Sequence, residues 1–331
     1  MDETRILLMM GRSMFEQVFP EDVLEKIASL GKLVIKEKAN ELTEEELKEL
    51  VKDVDAIVTS WGAPPITPAV IDNAPKLRFI GHAAGSIKHI VPEEAISKGI
   101  VVTNAARVMG LGVGEMNLTY MLAALRSLVQ FQENKKVHKW VKNYPIRGLF
   151  YQTVGVVGLG NTAKEMLKLL KPFECNVLAY DPFLSDEVVQ SLGATKVSLD
   201  EVMSRSTIIC MHAPILPETR NMIGAEELAL IQDGAIFINT ARGWLIDHDA
   251  LVEEAKKGRF QICLDVTVPE PLPSDHPLWD MPNVMITPHI AGPTPDRRRD
   301  MGMDIAEKLE AFLKGEQLKD IIDLRRYQTM A

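Results

Sequence analysis

The chain has 331 residues, 46% apolar and 25% charged, a composition that implies about two globular domains with room for a large core. A formal net charge of −9, with no concentrated basic stripe, points away from a nucleic-acid partner. Three widely spaced cysteines, Cys175, Cys210 and Cys263, read as thiols rather than as a disulfide framework.

The first hundred or so residues alternate strand and helix. Ile6–Met10 reads as a strand that begins just after an acidic N-terminus, with no signal peptide ahead of it. No apolar run reads as long enough to span a bilayer, so a cytoplasmic protein without a membrane partner is expected. A helical pattern covers Glu21 to Leu30, and Leu33–Ile35 forms the next strand. Thr43 and Glu46 have capping-box spacing and open a helix with Leu47, Leu50 and Val51 inward. Ala56–Ser60 is a strand ending at Trp61-Gly62. Leu77–Ile80 runs into a loop, Gly81-His82-Ala83-Ala84-Gly85-Ser86, and Ile100–Val102 ends at Thr103-Asn104. Strands alternating with helices imply a parallel sheet whose ligands bind at the carboxyl ends of the strands, which draws attention to the Trp61 and Gly85 loops.

A long helix is expected from about Glu115 to Gln130, leading into a second α/β unit. That unit is organised around Thr153–Val157 and the turn Gly158-Leu159-Gly160-Asn161-Thr162-Ala163, followed by an amphipathic helix. This order of strand, tight turn and helix suits a dinucleotide: Gly158 makes the turn, Gly160 lets the pyrophosphate approach the backbone, and Ala163 allows close helix packing. The helix start supplies unpaired N–H groups and the positive dipole end. About 20 residues further on, the run Val177–Tyr180 ends at Asp181, where an acid accepts hydrogen bonds from ribose hydroxyls and favours NAD over NADP.

Four more strands carry polar residues at their ends. Ile208–Met211 leads to His212-Ala213-Pro214 and Thr219, and Ala235–Ile238 leads to Asn239-Thr240-Ala241-Arg242-Gly243. Ile262–Leu264 leads to Asp265 and then Glu270, and Val284–Ile286 leads to Thr287-Pro288-His289-Ile290-Ala291-Gly292. Helical stretches at Ala225–Ile231 and Asp249–Lys257 separate them. All four ends should gather at one sheet edge near the glycine turn. A final helix from Pro295 to Leu313 returns to the first domain, and the triplet Arg297-Arg298-Arg299 at its start reads as a solvated face. The expected architecture is α/β. Two Rossmann-like or flavodoxin-like parallel-sheet domains are expected, the NAD-binding domain (106–292) inserted into the substrate-binding domain (1–105 and 293–331).

Cation, carboxylate and imidazole on one edge suit hydride exchange with a hydroxy acid. Arg242 can grip a substrate carboxylate through its planar fork and polarise a keto oxygen. His289 can shuttle the hydroxyl proton, Glu270 can hold that imidazole and favour its protonated form, and Asp265 is placed to touch the nicotinamide end. Taken singly, Arg242 reads as a surface or cap residue and His289 as a loop histidine; their grouping beside a dinucleotide turn gives the functional reading. His212 shapes the cofactor wall. His82 and His89 flank a possible substrate loop, and His138, His248 and His276 lie in polar helical or loop contexts with no functional reading. No metal ligand set is expected.

These motifs identify a resemblance. Gly158-Leu159-Gly160, Tyr180-Asp181-Pro182, His212-Ala213-Pro214 with Pro217 and Thr219, Asn239-Thr240-Ala241-Arg242-Gly243, Leu264-Asp265-Val266, Glu270-Pro271-Leu272-Pro273 and Thr287–Gly292 resemble, in this order, the NAD-dependent D-isomer-specific 2-hydroxyacid dehydrogenases. The resemblance implies that His289 is the acid/base, Glu270 its partner and Arg242 the substrate clamp. It implies that loop amides near Ala84 and Gly85 bind the substrate carboxylate, that the substrate is a small 2-hydroxy or 2-keto acid, and that the protein is a homodimer built through the long helix. Three departures bear on substrate identity: Ser86-Ile87-Lys88 stand where the family usually carries an Asp, Gly114-Glu115 replace the usual Ala-Glu, and Trp61 is bulkier than usual. Glu270 argues against formate, for which relatives carry Gln. The alternatives are an NAD(H)-sensing, corepressor-like binding protein and a phosphite-type oxyanion dehydrogenase.

Overall fold

The computed structural model describes residues 3–142 and 145–330. The chain forms two compact units, Met1–Met109 with Pro293–Ala331, and Gly110–Gly292.

The first unit holds β1 (Arg5–Met9), β2 (Lys32–Lys36), β3 (Ala56–Thr59), β4 (Phe79–His82) and β5 (Val101–Asn104) in the all-parallel order β2-β1-β3-β4-β5. Alternation along β1 explains how both faces are covered. Leu7 and Met9 join Ile57, Ile80 and Val102 against the helical residues Leu47, Val51, Val70 and Ala95. Ile6 and Leu8 join Val58 and Phe79 against Val23, Ile27, Met301, Ile305 and Leu309. The last three belong to the helix Arg298–Leu313, which therefore completes the first unit from the far end of the sequence. Its fit is close: a side chain at Gly81 would place its Cβ 2.5 Å from Ile305. The helix Glu44–Val51 carries the expected capping box, with the Thr43 hydroxyl accepting from the Glu46 amide and the Glu46 carboxylate accepting from Thr43.

The second unit holds β6 (Thr153–Val157), β7 (Asn176–Tyr180), β8 (Thr195–Lys196), β9 (Ile208–Met211), β10 (Ile236–Asn239), β11 (Gln261–Leu264) and β12 (Val284–Ile286). Their all-parallel order is β12-β11-β10-β9-β6-β7-β8. The order reverses between β6 and β9, and the carboxyl ends of β6, β9, β10, β11 and β12 lie along one edge. One face packs Val154, Val156, Ile208, Cys210 and Ile238 against Tyr120, Met121, Met166 and Leu167. The other packs Val157, Ile209, Met211 and Phe237 against Met203, Leu228 and Leu251. Cys210 and Cys263 are free and buried in this core, and burial pushes both thiols up, away from reactivity.

Three expectations need correction. The long helix is Ala106–Leu125, followed by a second helix, Leu128–Lys136. The first begins earlier than its sequence advertises because Gly110 and Gly114 act as packing surfaces rather than breakers. A Cβ at Gly110 would lie 3.1 Å from Asn161 O, and one at Gly114 3.0 Å from Met166 N. The break falls at Ser127, whose φ of 49° is left-handed and whose hydroxyl donates to the Pro145 carbonyl at 3.0 Å. Secondly, Ala106–Leu125 is long and apolar enough to cross a membrane by length and composition, and half of its most apolar window is buried inside the protein. Thirdly, His82 closes β4 instead of standing in a loop. It is almost fully buried, its Nδ1 lies 2.9 Å from the Thr59 hydroxyl, and burial lowers its pKa to about 3.

Candidate functional site

The glycine turn joins β6 to the helix Asn161–Leu170. Gly158 has a φ of 91°, and a Cβ there would meet Ala213 N at 2.7 Å, so only glycine lets this turn touch the loop after β9. Around Gly160 a Cβ would meet nothing within 4 Å, which leaves open space at the helix start. No side chain caps that helix, so its first amides remain for a ligand. Asp181, just past β7, accepts from Leu159 N at 2.9 Å and from Phe183 N at 2.9 Å. Each carboxylate oxygen keeps a further lone pair for a ribose hydroxyl. Open backbone, uncapped amides and a fixed acid together fit a dinucleotide.

The ends of β9 and β10 are tied by internal bonds. His212 is buried, with Nδ1 3.2 Å from the Thr162 hydroxyl and Nε2 3.3 Å from Met166 Sδ. Burial lowers its pKa to about 4, so the ring stands neutral in its packed surroundings. The Thr219 hydroxyl accepts from Leu216 N at 2.8 Å and lies 2.6 Å from the Pro214 carbonyl, closing the Pro214–Thr219 loop on itself. Thr240 is buried, and its hydroxyl accepts from Asn117 Nδ2 at 2.7 Å. Asn239 accepts from Ala241 N at 3.0 Å and donates to the Arg242 carbonyl at 2.9 Å, which fixes the backbone carrying Arg242. The Arg242 guanidinium donates to the Ala241 carbonyl at 2.6 Å and has no carboxylate partner among the described residues. Burial lowers its pKa, opposed by the charge of Glu270.

The ends of β11 and β12 form one assembly. His289 Nδ1 lies 2.5 Å from Glu270 Oε1. Both side chains remain accessible, at 49% and 43% exposure. His289 has a left-handed φ of 55°, unusual for a side chain with Cβ. Its N–H donates to the Asp265 carbonyl at 2.9 Å. The carboxylate of Asp265, 1% exposed, accepts from Ile290 N and Ala291 N, each at 2.8 Å, and from the Thr287 hydroxyl. Gly292 follows directly. Asp265 is thus bound to the loop that bears His289.

Sequence reasoning missed two supports from the helix Ala106–Leu125. Tyr120 OH lies 2.5 Å from the Thr287 hydroxyl and 3.2 Å from the Leu264 carbonyl, and Asn117 reaches Thr240. Their signal was available: two polar side chains three apart on one helix share a face. Among the described residues no group of three His, Cys, Asp or Glu could hold a metal.

In the first unit, the loop after β4 is held from several sides. The Ser60 hydroxyl donates to the Ala83 carbonyl at 2.8 Å, and Asn104 Nδ2 donates to the Gly85 carbonyl at 2.5 Å. The Ala84 N–H donates to the His82 carbonyl at 2.7 Å, whereas the Gly85 N–H has no backbone acceptor among the described residues.

The profile of the D-isomer specific 2-hydroxyacid dehydrogenase NAD-binding domain matches residues 118–291. The chain belongs to the D-isomer specific 2-hydroxyacid dehydrogenase family. Its match to the family's NAD-binding domain makes NAD the cofactor. The chain is 36% identical over 307 residues to D-3-phosphoglycerate dehydrogenase of Methanocaldococcus jannaschii, covering 92% of this chain and 58% of that protein. It therefore spans a little over half the length of that relative. It is 33% identical over 319 residues to glyoxylate reductase of Korarchaeum cryptofilum, covering 95% of this chain and 92% of that one. A solved D-lactate dehydrogenase structure from Treponema pallidum superposes with a TM-score of 0.73 at 25% identity, covering 97% of this chain and 100% of that one.

Proposed function

We propose that the protein is an NAD(H)-dependent oxidoreductase that interconverts a small D-2-hydroxy acid and its 2-keto acid. The observation that carries the reading is the pairing of His289 Nδ1 with Glu270 Oε1 at 2.5 Å, on the strand edge that also bears Arg242. Bound NADH supplies the hydride. His289 presents Nε2 to the substrate and gives its proton to the oxygen on C2, while Glu270 fixes the ring and stabilises the imidazolium that must re-form. Arg242, which has no carboxylate partner among the described residues, grips the substrate carboxylate and draws charge from the keto oxygen. Carboxylate binding by the Ala84–Gly85 loop belongs to the same proposal, as do nicotinamide contact by Asp265, a homodimeric assembly and a cytoplasmic location without nucleic-acid or membrane partners.

The names of the relatives, D-3-phosphoglycerate dehydrogenase and glyoxylate reductase, define which substrates to try first. The test is NADH oxidation against glyoxylate, hydroxypyruvate, pyruvate, phenylpyruvate, branched 2-keto acids and 3-phosphohydroxypyruvate, with NADPH as control. Turnover on one member, with NADH preferred, supports the reading. NADH binding without turnover on any member would favour a sensor instead.

A further inference from the structure

His248 opens the helix His248–Lys257, whose N-cap Asp247 accepts from Asp249 N and Ala250 N at 3.0 and 3.1 Å. Both ring nitrogens of His248 are in use. Nδ1 lies 3.2 Å from the Ile246 carbonyl, and Nε2 lies 3.1 Å from Val268 N. A carbonyl only accepts and an amide N–H only donates, so these partners assign the hydrogen to Nδ1 and a lone pair to Nε2.

Val268 belongs to the segment between Asp265 and Glu270. Proline at 269 and 271 leaves Val268 and Glu270 as its backbone donors beyond Thr267. The Val268 donor is spent on His248. The Thr267 hydroxyl bonds within the segment, to the Pro269 carbonyl at 2.8 Å. The backbone after Arg242 abuts it from one side: a Cβ at Gly243 would lie 2.3 Å from Thr267 O. Glu270 itself is exposed, so no packing fixes its side chain, and its place depends on the backbone that carries it.

We infer that His248 is a positioning residue: its Nε2 lone pair fixes the Val268 backbone and thereby sets Glu270 at hydrogen-bonding distance from His289. The inference rests on the reading of Glu270 and His289 as the proton-transfer pair. Acid works against this bond, because a protonated ring presents an N–H to the Val268 N–H. Burial lowers the His248 pKa, with the Ile246 carbonyl, Asp247 and Asp249 opposing and His276 adding to the lowering. The bond therefore persists through neutrality and fails on the acid side of the ordinary histidine range.

The test compares His248→Gln, whose amide oxygen reaches the position of Nε2, with His248→Asn, which reaches only the Nδ1 position. The readouts are kcat with NADH and the fastest keto acid of the panel, KM, NADH binding, and amide hydrogen exchange of the 266–272 peptide. For His248→Asn, losing the one bond should lower kcat roughly five- to tenfold. KM and NADH binding should stay within about twofold, and exchange should quicken. His248→Gln should retain wild-type exchange and most of kcat, and move the acid limb of the reduction reaction to lower pH. Wild-type kcat and exchange in His248→Asn would overturn the inference, as would equal impairment of both variants with unchanged exchange. His289→Ala, run alongside, separates the two levels. Full activity there would remove the underlying reading, while the exchange data would still decide whether His248 holds the segment.

Discussion

Asp265 holds His289 through the main chain: its carbonyl accepts the His289 N–H at 2.9 Å, while its carboxylate takes the next two amides, Ile290 and Ala291, at 2.8 Å each. The left-handed φ of His289 is maintained by this grip. Asp265 is at the end of β11 and His289 follows β12, so one carboxylate ties two neighbouring strand ends into a single platform.

Asp265→Asn should disrupt that platform. An amide keeps one acceptor oxygen but turns an NH2 toward a backbone donor, leaving a buried N–H unpaired. A stability loss of about 1–3 kcal/mol in urea unfolding is expected, with a fall in kcat as the His289 backbone relaxes. Wild-type stability together with wild-type kcat would contradict the arrangement.

The two turn glycines should separate folding from cofactor binding. Gly160→Ala places a methyl in open space, so stability should hold while NADH binding weakens roughly tenfold. Gly158→Ala sets a Cβ against the Ala213 backbone at 2.7 Å in a left-handed conformation. It should lose about 1–3 kcal/mol of stability as well as NADH affinity. Thermal unfolding and NADH fluorescence titration read both. Equal behaviour of the two variants would refute the distinction.

Stability should fall with acid because of buried neutral histidines. The folded pKa of His212 is about 4, below the ordinary 6.5 of an unfolded chain. Between these values the unfolded state binds the proton and the folded state does not, so stability rises with pH across this window and is lost as pH falls from about 6.5 toward about 4. At pH 5 the loss from this ring is on the order of 2 kcal/mol. Urea unfolding at pH 7 and pH 5 should therefore show a smaller pH difference for His212→Asn than for wild type. An unchanged difference would show that His212 does not titrate as its burial requires.

Much of this site was legible because its chemistry sits in short contiguous motifs. The glycine turn, Asp181 and the four polar strand ends were readable because a parallel sheet must gather its carboxyl ends on one edge, and β9 to β12 end within about a residue of where the short apolar runs placed them. The capping box at Thr43 and Glu46 was readable because both partners lie within one turn. What escaped depends on distant packing. Gly110 and Gly114 show their packing role only once the helix Asn161–Leu170 is set against them. Tyr120 and Asn117 look like incidental polar residues until Thr287 and Thr240 meet them. Nothing local to His248 announces that its ring accepts from the Val268 N–H, twenty residues on.

The most direct test of the central claim is to measure kcat and NADH affinity of His289→Ala side by side, with the keto acid that the wild-type protein turns over fastest. Loss of a positioned general acid should lower kcat by about 10²–10⁴-fold and leave the NADH dissociation constant within about twofold. An unchanged kcat, or equal losses in kcat and NADH affinity, would contradict the assignment of His289 as the proton-transfer residue.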